Sequence, residues 1–482
     1  MRILIVTSES LPGSEDRNLP LAAELTRRGH EVRHTGPARA MLKAGFSSTT
    51  FEPEFAKLPQ AAAVNTELFD SWAGLRRMIG WAQVVLFSMA KGYKEAAEYA
   101  AGLSKVIIFL ADTSLHPWIW RADLIAVGSP YERDRMGALI DDFQIVPSNS
   151  YIWPSLIPQH GIGPDRIILT GSTLLDKAAP QNRGLSEAEV HSRYGLDEKK
   201  RTAVWLPSSP ACHDPWFKDL YRRVCAAVEE AGFNLIIKPH PRDYVGAKQL
   251  ATYEDTLTPT WEQLAPGVRV CRAGDKWDCF RAADVLVSSW TTAAIEAALL
   301  KTPMLLVDPL PFTLEMIGLD HPRYKELLPG TRYSPPSRRT LGQMEPLIEV
   351  LKGRTDPRTE EYLEDCLKSE TDFYLVGFPE YIGTESTMEE LPRVLREGLY
   401  EFDDEEVFED YAARYSAGLE GRAYLRIADA VESVESDPRL GPKLALAGSG
   451  LHCLRKRSSL ALAGLVRRIV NRLGDRPATE RR

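Results

Sequence analysis

The chain has 482 residues, which is too long for one ordinary hydrophobic core, so we expect two or three domains. With 44% hydrophobic and 26% charged residues it is typical of a soluble globular protein, and its net charge of −8 excludes a protein that simply coats nucleic acid. The six cysteines form no Cys-x-x-Cys pair, which argues against a zinc cage or a disulfide scaffold and indicates reduced thiols inside a cell.

The first eight residues contain a short apolar run, and the turn formers Pro12 and Gly13 follow it at once. This run is too short for a signal peptide and is typical of a first β-strand. Because the sequence has no stretch of about 18 consecutive apolar residues, we expect no membrane-spanning segment. The expected location is the cytoplasm, or the inner face of the plasma membrane as a peripheral protein.

Short apolar runs then alternate with amphipathic stretches, a pattern typical of βαβ units and a parallel sheet. A helix over residues 18–28 is predicted to end at Gly29. The predicted strands of this first array lie near residues 2–7, 31–35, 83–87, 105–111, 123–128, 143–146 and 167–170.

A second array begins after a polar stretch that follows Asp176. Its strands are predicted near residues 202–206, 234–237, 268–271, 285–287 and 304–307. These strands are apolar on both faces, so we expect helices to cover both sides of the sheet. We therefore predict an α/β protein with an N-terminal Rossmann-like domain over 1–190 and a C-terminal Rossmann-like domain over 191–375, facing each other across a cleft.

The remaining sequence divides by charge. Residues 376–436 are predicted to form an acidic helical segment with a solvated face. Residues 437–482 are basic, with apolar positions between 458 and 473 that fit one helical stripe, as an interfacial helix on an anionic membrane requires. A tail that is disordered, or that packs on the acidic segment, is the other interpretation.

A cluster of polar and charged residues follows the second strand of the second array. His240 lies between two prolines, with Lys238 and Arg242 on either side. The prolines restrict the backbone and end the strand, so the imidazole is expected at the edge of the sheet. The two cations supply fixed positive charge for a phosphate group, so we interpret His240 as functional rather than structural.

Hydroxyl side chains cluster in the same way after the strand that ends near residue 287. They belong to Ser288, Ser289, Thr291 and Thr292, and exceed what a single helix cap needs. In an open parallel sheet, ligands bind outside the carboxyl ends of the strands, so we predict a phosphate site here. Glu296 falls one turn into the next predicted helix, where a carboxylate is favourable in any case.

These motifs resemble the nucleotide-binding half of the GT-B glycosyltransferases, and the nearest likeness is the CDP-glycerol glycerophosphotransferase family of teichoic-acid polymerases and primases. The resemblance is carried by residues 238–241, 283–289, Glu296, 166–172 and 206–209. It covers most of residues 166–310 and only patches elsewhere, including a weaker one near Arg426.

The resemblance implies a donor site and a type of reaction. Lys238, His240 and Arg242 would hold the donor phosphates, and Glu296 would contact the ribose. The implied reaction is metal-independent and needs no cofactor besides the nucleotide-activated donor. The remaining implied donor-binding residues are Ser208, Ser209, Ser288, Ser289, Thr291 and Thr292.

One departure from the family concerns the general base. The family has a His-Gly-Thr element in its N-terminal domain, and this sequence lacks it. His116, after a predicted strand, can take a proton from an acceptor hydroxyl near neutral pH. Asp112 is the alternative.

The resemblance therefore predicts a transferase that moves a glycerophosphate or glycosyl unit from CDP-glycerol or a nucleotide sugar to a cell-surface polymer or lipid-linked acceptor. The basic tail would add an anionic membrane surface as a partner, and no nucleic acid is expected. Two alternatives stay open. One is a UDP-N-acetylglucosamine 2-epimerase-like enzyme, and the other is a catalytically inactive GT-B scaffold that binds a nucleotide.

Overall fold

The structure is a computed structural model. It describes the following residues: 1–7, 14–38, 64–88, 93–111, 121–133, 145–146, 155–156, 164–173, 175–179, 184–207, 215–238, 268–271, 276–288, 293–307, 383–401, 404–418 and 420–449.

The first sheet is parallel and, within these residues, has seven strands. They are β1 (Arg2–Thr7), β2 (Glu31–Thr35), β3 (Asn65–Thr66), β4 (Val84–Ser88), β5 (Val106–Leu110), β6 (Leu124–Val127) and β9 (Ile167–Leu169). Two further strands come between β6 and β9 in the sequence and form a separate pair. Their order is β3-β2-β1-β4-β5-β6-β9, which is that of a doubly wound Rossmann sheet. The strand predicted over 143–146 is outside this sheet, since β7 (Ile145–Val146) pairs antiparallel with β8 (Ser155–Leu156).

Period-two alternation divides the side chains of this sheet between two apolar layers. One set, including Leu4, Val85 and Ile107, packs under helices α2 (Trp72–Trp81) and α3 (Lys94–Gly102). The other set, including Ile3 and Ile5, packs under α1 (Ser14–Arg27). Both layers are buried, which explains why these strands are nearly continuous apolar runs in the sequence.

The second sheet is also parallel and has the order β12-β11-β10-β13-β14-β15 in the part of the chain that the structure describes. Its strands are β10 (Thr202–Leu206), β11 (Asn234–Ile237), β12 (Arg269–Val270), β13 (Val285–Ser288), β14 (Met304–Val307) and β15 (Gly383–Ser386). Its helices are α4 (Glu187–Tyr194), α5 (Pro215–Glu230), α6 (Lys276–Arg281), α7 (Ala293–Leu299) and α8 (Leu391–Glu397). The helices pack on the two faces of the sheet, α5 and α8 on one, α4, α6 and α7 on the other.

Three helices complete the described chain: α9 (Glu405–Tyr415), α10 (Ala423–Ser433) and α11 (Leu440–Gly448). The predicted fold class, two Rossmann-like parallel sheets with a helical C-terminal extension, is confirmed. The predicted domain limits at 190, 375 and 436 stay predictions. Both β15 and α8 lie in the predicted acidic segment and yet belong to the second sheet and its core.

Helices α10 and α11 return to the first sheet instead of forming a separate unit. Val431 and Leu444 are buried in the same apolar layer as Ile3 and Ile5. At the surface, Arg28, directly after α1, pairs with both Asp429 and Glu432, at 2.6 and 2.8 Å. Helix α11 lies within the basic tail predicted over 437–482, and it packs against the first sheet.

Polar contacts also fix these two helices to the first sheet. The Lys443 ammonium lies 2.7 and 2.6 Å from the two carboxylate oxygens of Asp123. Lys105 is fully buried, and its ammonium donates a hydrogen bond of 3.1 Å to the carbonyl of Ala447 in the last turn of α11. A cation is favourable at a helix C-terminus, because the last carbonyl groups have no partner within the helix.

The segment between the two sheets is bound to α10. A short 3-10 helix, Leu175–Ala178, carries Asp176. The Asp176 carboxylate accepts hydrogen bonds from the backbone N–H groups of Ala423 (2.9 Å) and Tyr424 (3.3 Å), and so caps the N-terminus of α10. Burial raises the pKa of Asp176, and these two hydrogen bonds oppose that rise. Arg426 of α10 donates to the Thr170 carbonyl at 2.6 Å. Helix α10 therefore binds the segment that leaves the first sheet at two places, Thr170 and Asp176.

Among the described helices, none combines the length and the apolar character that crossing a lipid bilayer requires.

Candidate functional site

The central strands of the second sheet all end on the same side of the sheet, which we call its carboxyl edge. Trp205 is paired with Ile237, Leu206 with Ser288, and Ser288 with Leu306. The carboxyl ends of β10, β11, β13 and β14 are therefore in register. In parallel α/β sheets, ligands bind outside this edge.

Lys238 is the first residue after β11 at this edge. It is half-buried, and its backbone N–H donates to the Trp205 carbonyl at 2.9 Å. That hydrogen bond extends the β10–β11 pairing by one residue beyond the strand. Lys238 thus has a fixed position at the end of β11, two residues before His240 in the sequence.

Ser288, at the end of β13, is fully buried. Its hydroxyl donates a hydrogen bond of 2.8 Å to the carbonyl of Leu206. The side chain therefore joins the ends of β10 and β13. A contact between Ser288 and a donor phosphate stays a prediction.

Glu296 lies in the first turn of α7, directly beyond the same edge, with only 6% of its surface exposed. The Lys276 ammonium is 2.8 Å from both of its carboxylate oxygens and donates a hydrogen bond to Oε1. Lys276 begins α6, which follows β12 of the same sheet. The structure thus places an ion pair, between the buried Glu296 and the half-buried Lys276, beside the strand ends that the motifs identify.

Lys276 is a residue that the sequence-based analysis missed. It stands in a short polar run between two strands and belongs to no motif. Its partner is 20 residues away in the sequence, so the pairing depends on how α6 and α7 are packed. Local spacing carries no signal for such a contact.

The remaining candidate residues lie outside the described residues, and their assignments stay predictions. They occur in segments that directly follow described strands: 208–214 after β10, 239–267 after β11, 289–292 after β13 and 112–120 after β5. The candidates are Ser208, Ser209, His240, Arg242, Ser289, Thr291 and Thr292 in the second array, and Asp112 and His116 in the first.

The carboxyl edge of the first sheet holds a small, partly open pocket. The ends of β4, β5, β6 and β9 line it, together with one residue each from α1 and α10. Its polar lining residues are Asn18, Ser88, Thr170, Ser172 and Thr173, and Ile427 closes one side. The side chains named in the pocket wall are uncharged, in contrast to the charged edge of the second sheet.

A buried polar network lies beneath this pocket. Asn18 donates to the Thr7 hydroxyl at 2.7 Å, and that hydroxyl is 3.0 Å from Nε2 of His34. The Tyr93 hydroxyl donates to the Thr7 carbonyl at 2.7 Å. Because the Thr7 oxygen already accepts from Asn18, its own proton is available to donate to Nε2, which a neutral imidazole accepts. Complete burial lowers the pKa of His34 from 6.5 to about 4.

The buried histidine predicts a pH dependence of stability. In the unfolded chain His34 takes up a proton below about pH 6.5, whereas in the folded protein it does so only near pH 4. Stability is therefore retained above pH 6.5 and lost as the pH falls from there towards 4, by about 2 kcal/mol at pH 5. Urea unfolding of the wild type and His34→Gln at pH 7.5 and pH 5 measures this. An identical drop in both proteins would contradict the assignment to His34.

Within the described residues, no group of three His, Cys, Asp or Glu side chains is close enough to hold a metal ion. The metal-independent reaction expected from the resemblance stays a prediction.

No protein-family model matches the chain, and no curated protein matches it in sequence. Solved structures resemble it at low identity. A protein from Listeria monocytogenes assigned as a UDP-N-acetylglucosamine 2-epimerase is 12% identical, covering 90% of this chain and 96% of its own, with a TM-score of 0.47. The wall teichoic acid polymerase TagF is 12% identical, covering 90% of this chain and 88% of its own, with a TM-score of 0.46.

A third structure is the UDP-GlcNAc 2-epimerase from Neisseria meningitidis bound to UDP-GlcNAc. It is 11% identical, covering 83% of this chain and 99% of its own, with a TM-score of 0.40. Teichoic acid polymerases and 2-epimerases, the two enzyme classes named from the sequence motifs, are thus both among the structures that resemble this chain. The fold assignment itself rests on the strand order of the two sheets.

Proposed function

We propose that the chain is a GT-B transferase that uses a nucleotide-activated donor, CDP-glycerol or a nucleotide sugar, and moves a glycerophosphate or glycosyl unit to an acceptor hydroxyl. The observation that carries this proposal is the carboxyl edge of the second sheet. There the ends of β11, two residues before His240, and of β13, at Ser288, are in register with the end of β10, and the Glu296–Lys276 pair lies beside them.

In this proposal the residues after β11 and β13 bind the donor phosphates. Lys238 and Arg242 would balance the charge that develops on the leaving nucleotide, as preorganised cations do in phosphate sites. His240 would contact the transferred group or the leaving phosphate, and Glu296 would accept hydrogen bonds from the ribose. No divalent metal enters this scheme.

The acceptor is assigned to the first sheet. Its uncharged pocket, lined by hydroxyl and amide groups, supports a hydroxyl-bearing acceptor such as a polymer end or a lipid-linked unit. His116 or Asp112 would remove the acceptor proton. Residues 450–482 would bring the enzyme to an anionic membrane surface, where a lipid-linked acceptor resides.

Donor binding is tested first. Full-length protein is heated with CDP, UDP, GDP and ADP and with their glycerol or sugar conjugates, and we expect one nucleotide series to raise the melting temperature. A ligand at 100 times its Kd adds about 2.7 kcal/mol to the free energy of unfolding. Absence of any nucleotide-dependent shift would contradict the proposal.

Catalysis is tested with variants at the same edge. His240→Ala is expected to lower transfer at least tenfold, and Lys238→Ala to weaken donor binding, because each removes a group from the proposed phosphate site. Lys199→Ala is the matched control, since this exposed lysine lies in the turn before β10, at the opposite edge of the same sheet. Full transfer activity in His240→Ala would rule out its proposed role.

The assay also separates the two alternative functions. Conversion of UDP-N-acetylglucosamine to its manno epimer without an acceptor would assign the site to epimerisation. Tight nucleotide binding without turnover, in the presence of a lipid-linked acceptor extract, would assign the chain to a nucleotide-binding scaffold.

A further inference from the structure

Lys276 and Glu296 form a close ion pair that no motif of the sequence contains. The Lys276 ammonium lies 2.8 Å from both carboxylate oxygens, and the two side chains are 22% and 8% exposed. The ammonium is also 4.8 Å from the centre of the Trp277 ring and 6.0 Å from that of Phe280. These aromatic faces favour a cation at this place and restrict its motion.

The pair leaves part of the carboxylate unused. Oε1 accepts the hydrogen bond from Lys276, whereas Oε2 is buried and accepts no hydrogen bond of normal geometry from the part of the chain that the structure describes. The ammonium at 2.8 Å balances the charge on Oε2 but leaves its hydrogen-bonding capacity unfilled, and buried polar atoms in native proteins usually have a hydrogen-bond partner from the protein, a ligand or water. Oε2 is therefore the atom of this pair that has capacity for a ligand hydroxyl.

Stabilisation of the fold alone does not account for the pair. Burying two charges gains little over apolar side chains of similar size, because the desolvation penalty offsets the attraction. Helix α6 also has a separate ion pair, between Asp278 and Arg281 at 3.0 Å, and Asp278 accepts a hydrogen bond from the Gly184 backbone at 3.2 Å. That second pair already ties α6 to its surroundings.

We infer that Lys276 is a positioning residue for donor binding. It holds the Glu296 carboxylate in one fixed position, so that Oε2 accepts a hydrogen bond from a ribose hydroxyl of the nucleotide. This inference rests on the proposed function, because it concerns the same donor site. The inference adds Lys276, a residue outside all the motifs, to the donor site. It also makes the selection of ribose over deoxyribose depend on Lys276.

The test compares a ribonucleotide with its 2′,3′-dideoxy analogue. Calorimetry with the nucleoside diphosphate that shifts the melting temperature is expected to show about tenfold tighter binding of the ribonucleotide to the wild type, the size expected for a hydrogen bond to a charged group. Lys276→Met should lose most of this preference and bind the dideoxy analogue as the wild type does. Lys276→Arg should restore it. Arg281→Met, which removes the cation of the other pair in α6, should keep the preference.

A second variant covers the case in which Lys276→Met is poorly folded. Glu296→Gln removes the charge that Lys276 balances, so the preference for ribose should fall, and adding Lys276→Met to Glu296→Gln should lower it no further. An equal loss of affinity for both nucleotides, or an unchanged preference in Lys276→Met, would overturn the inference alone. If no nucleotide binds the wild type, the proposed function fails and the inference with it.

Discussion

Replacing Val431 by aspartate is expected to lower the free energy of unfolding by about 4 kcal/mol or more, a large part of the roughly 5–15 kcal/mol of an ordinary protein. Val431 of α10 is fully buried in the apolar layer that also holds Ile3 and Ile5. The substitution removes apolar burial worth about 1.5–3 kcal/mol and places a carboxylate in an apolar layer, where a charge is unfavourable.

Urea unfolding, followed by circular dichroism, measures this effect. Ser433→Asp is the control, because it introduces the same charge at an exposed position at the end of the same helix; it loses the hydrogen bond from the Ser433 hydroxyl to the Ala430 carbonyl and should cost only about 1–2 kcal/mol. If Val431→Asp unfolds at the same urea concentration as the wild type, α10 does not belong to the core of the first sheet.

Replacing Gly383 by alanine is expected to separate β15 from the second sheet, at a cost of about 3 kcal/mol. Gly383 pairs with Met304 of β14, and a Cβ atom at position 383 would lie 2.0 Å from the Met304 carbonyl oxygen. That oxygen belongs to the backbone of a central, buried strand and cannot move without disturbing β13. The added methyl group must therefore displace β15.

Thermal unfolding and the nucleotide-dependent shift in melting temperature together measure the result. Thr384→Ala serves as the control in the same strand, since it removes only a hydrogen bond of 3.4 Å from the Thr384 hydroxyl to the Leu399 carbonyl. We expect a small change for the control and a large one for Gly383→Ala. Equal stability of the two variants would show that β15 does not pair as closely as described.

The strands were the most predictable part of the fold. The predictions over 2–7, 202–206, 234–237 and 304–307 coincide with β1, β10, β11 and β14, because buried parallel strands are continuous apolar runs bounded by polar residues. The strand β15 has the sequence Gly-Thr-Glu-Ser and carries no such signal. It forms because β14 offers a free edge, which is a tertiary cause.

The candidate site was predictable in the same limited sense. Positions just after apolar strands must meet at one edge of a parallel sheet, so the neighbourhood of Lys238 and Ser288 followed from the sequence. The direction in which a side chain points did not follow from the sequence. The Ser288 hydroxyl, predicted to contact a phosphate, donates its hydrogen bond to the Leu206 carbonyl. Lys276 was out of reach because its partner is set by the packing of two helices.

The return of α10 and α11 to the first sheet affects how the protein folds while it is being synthesised. The apolar face formed by Ile3, Ile5 and their neighbours is completed only when residues 423–448 have been made. At about 5–20 residues per second, the ribosome needs on the order of 20–80 s to reach them, and the whole second sheet emerges in that interval. Until then α1 alone covers part of that face, and we expect a chaperone to shield the remainder until translation ends.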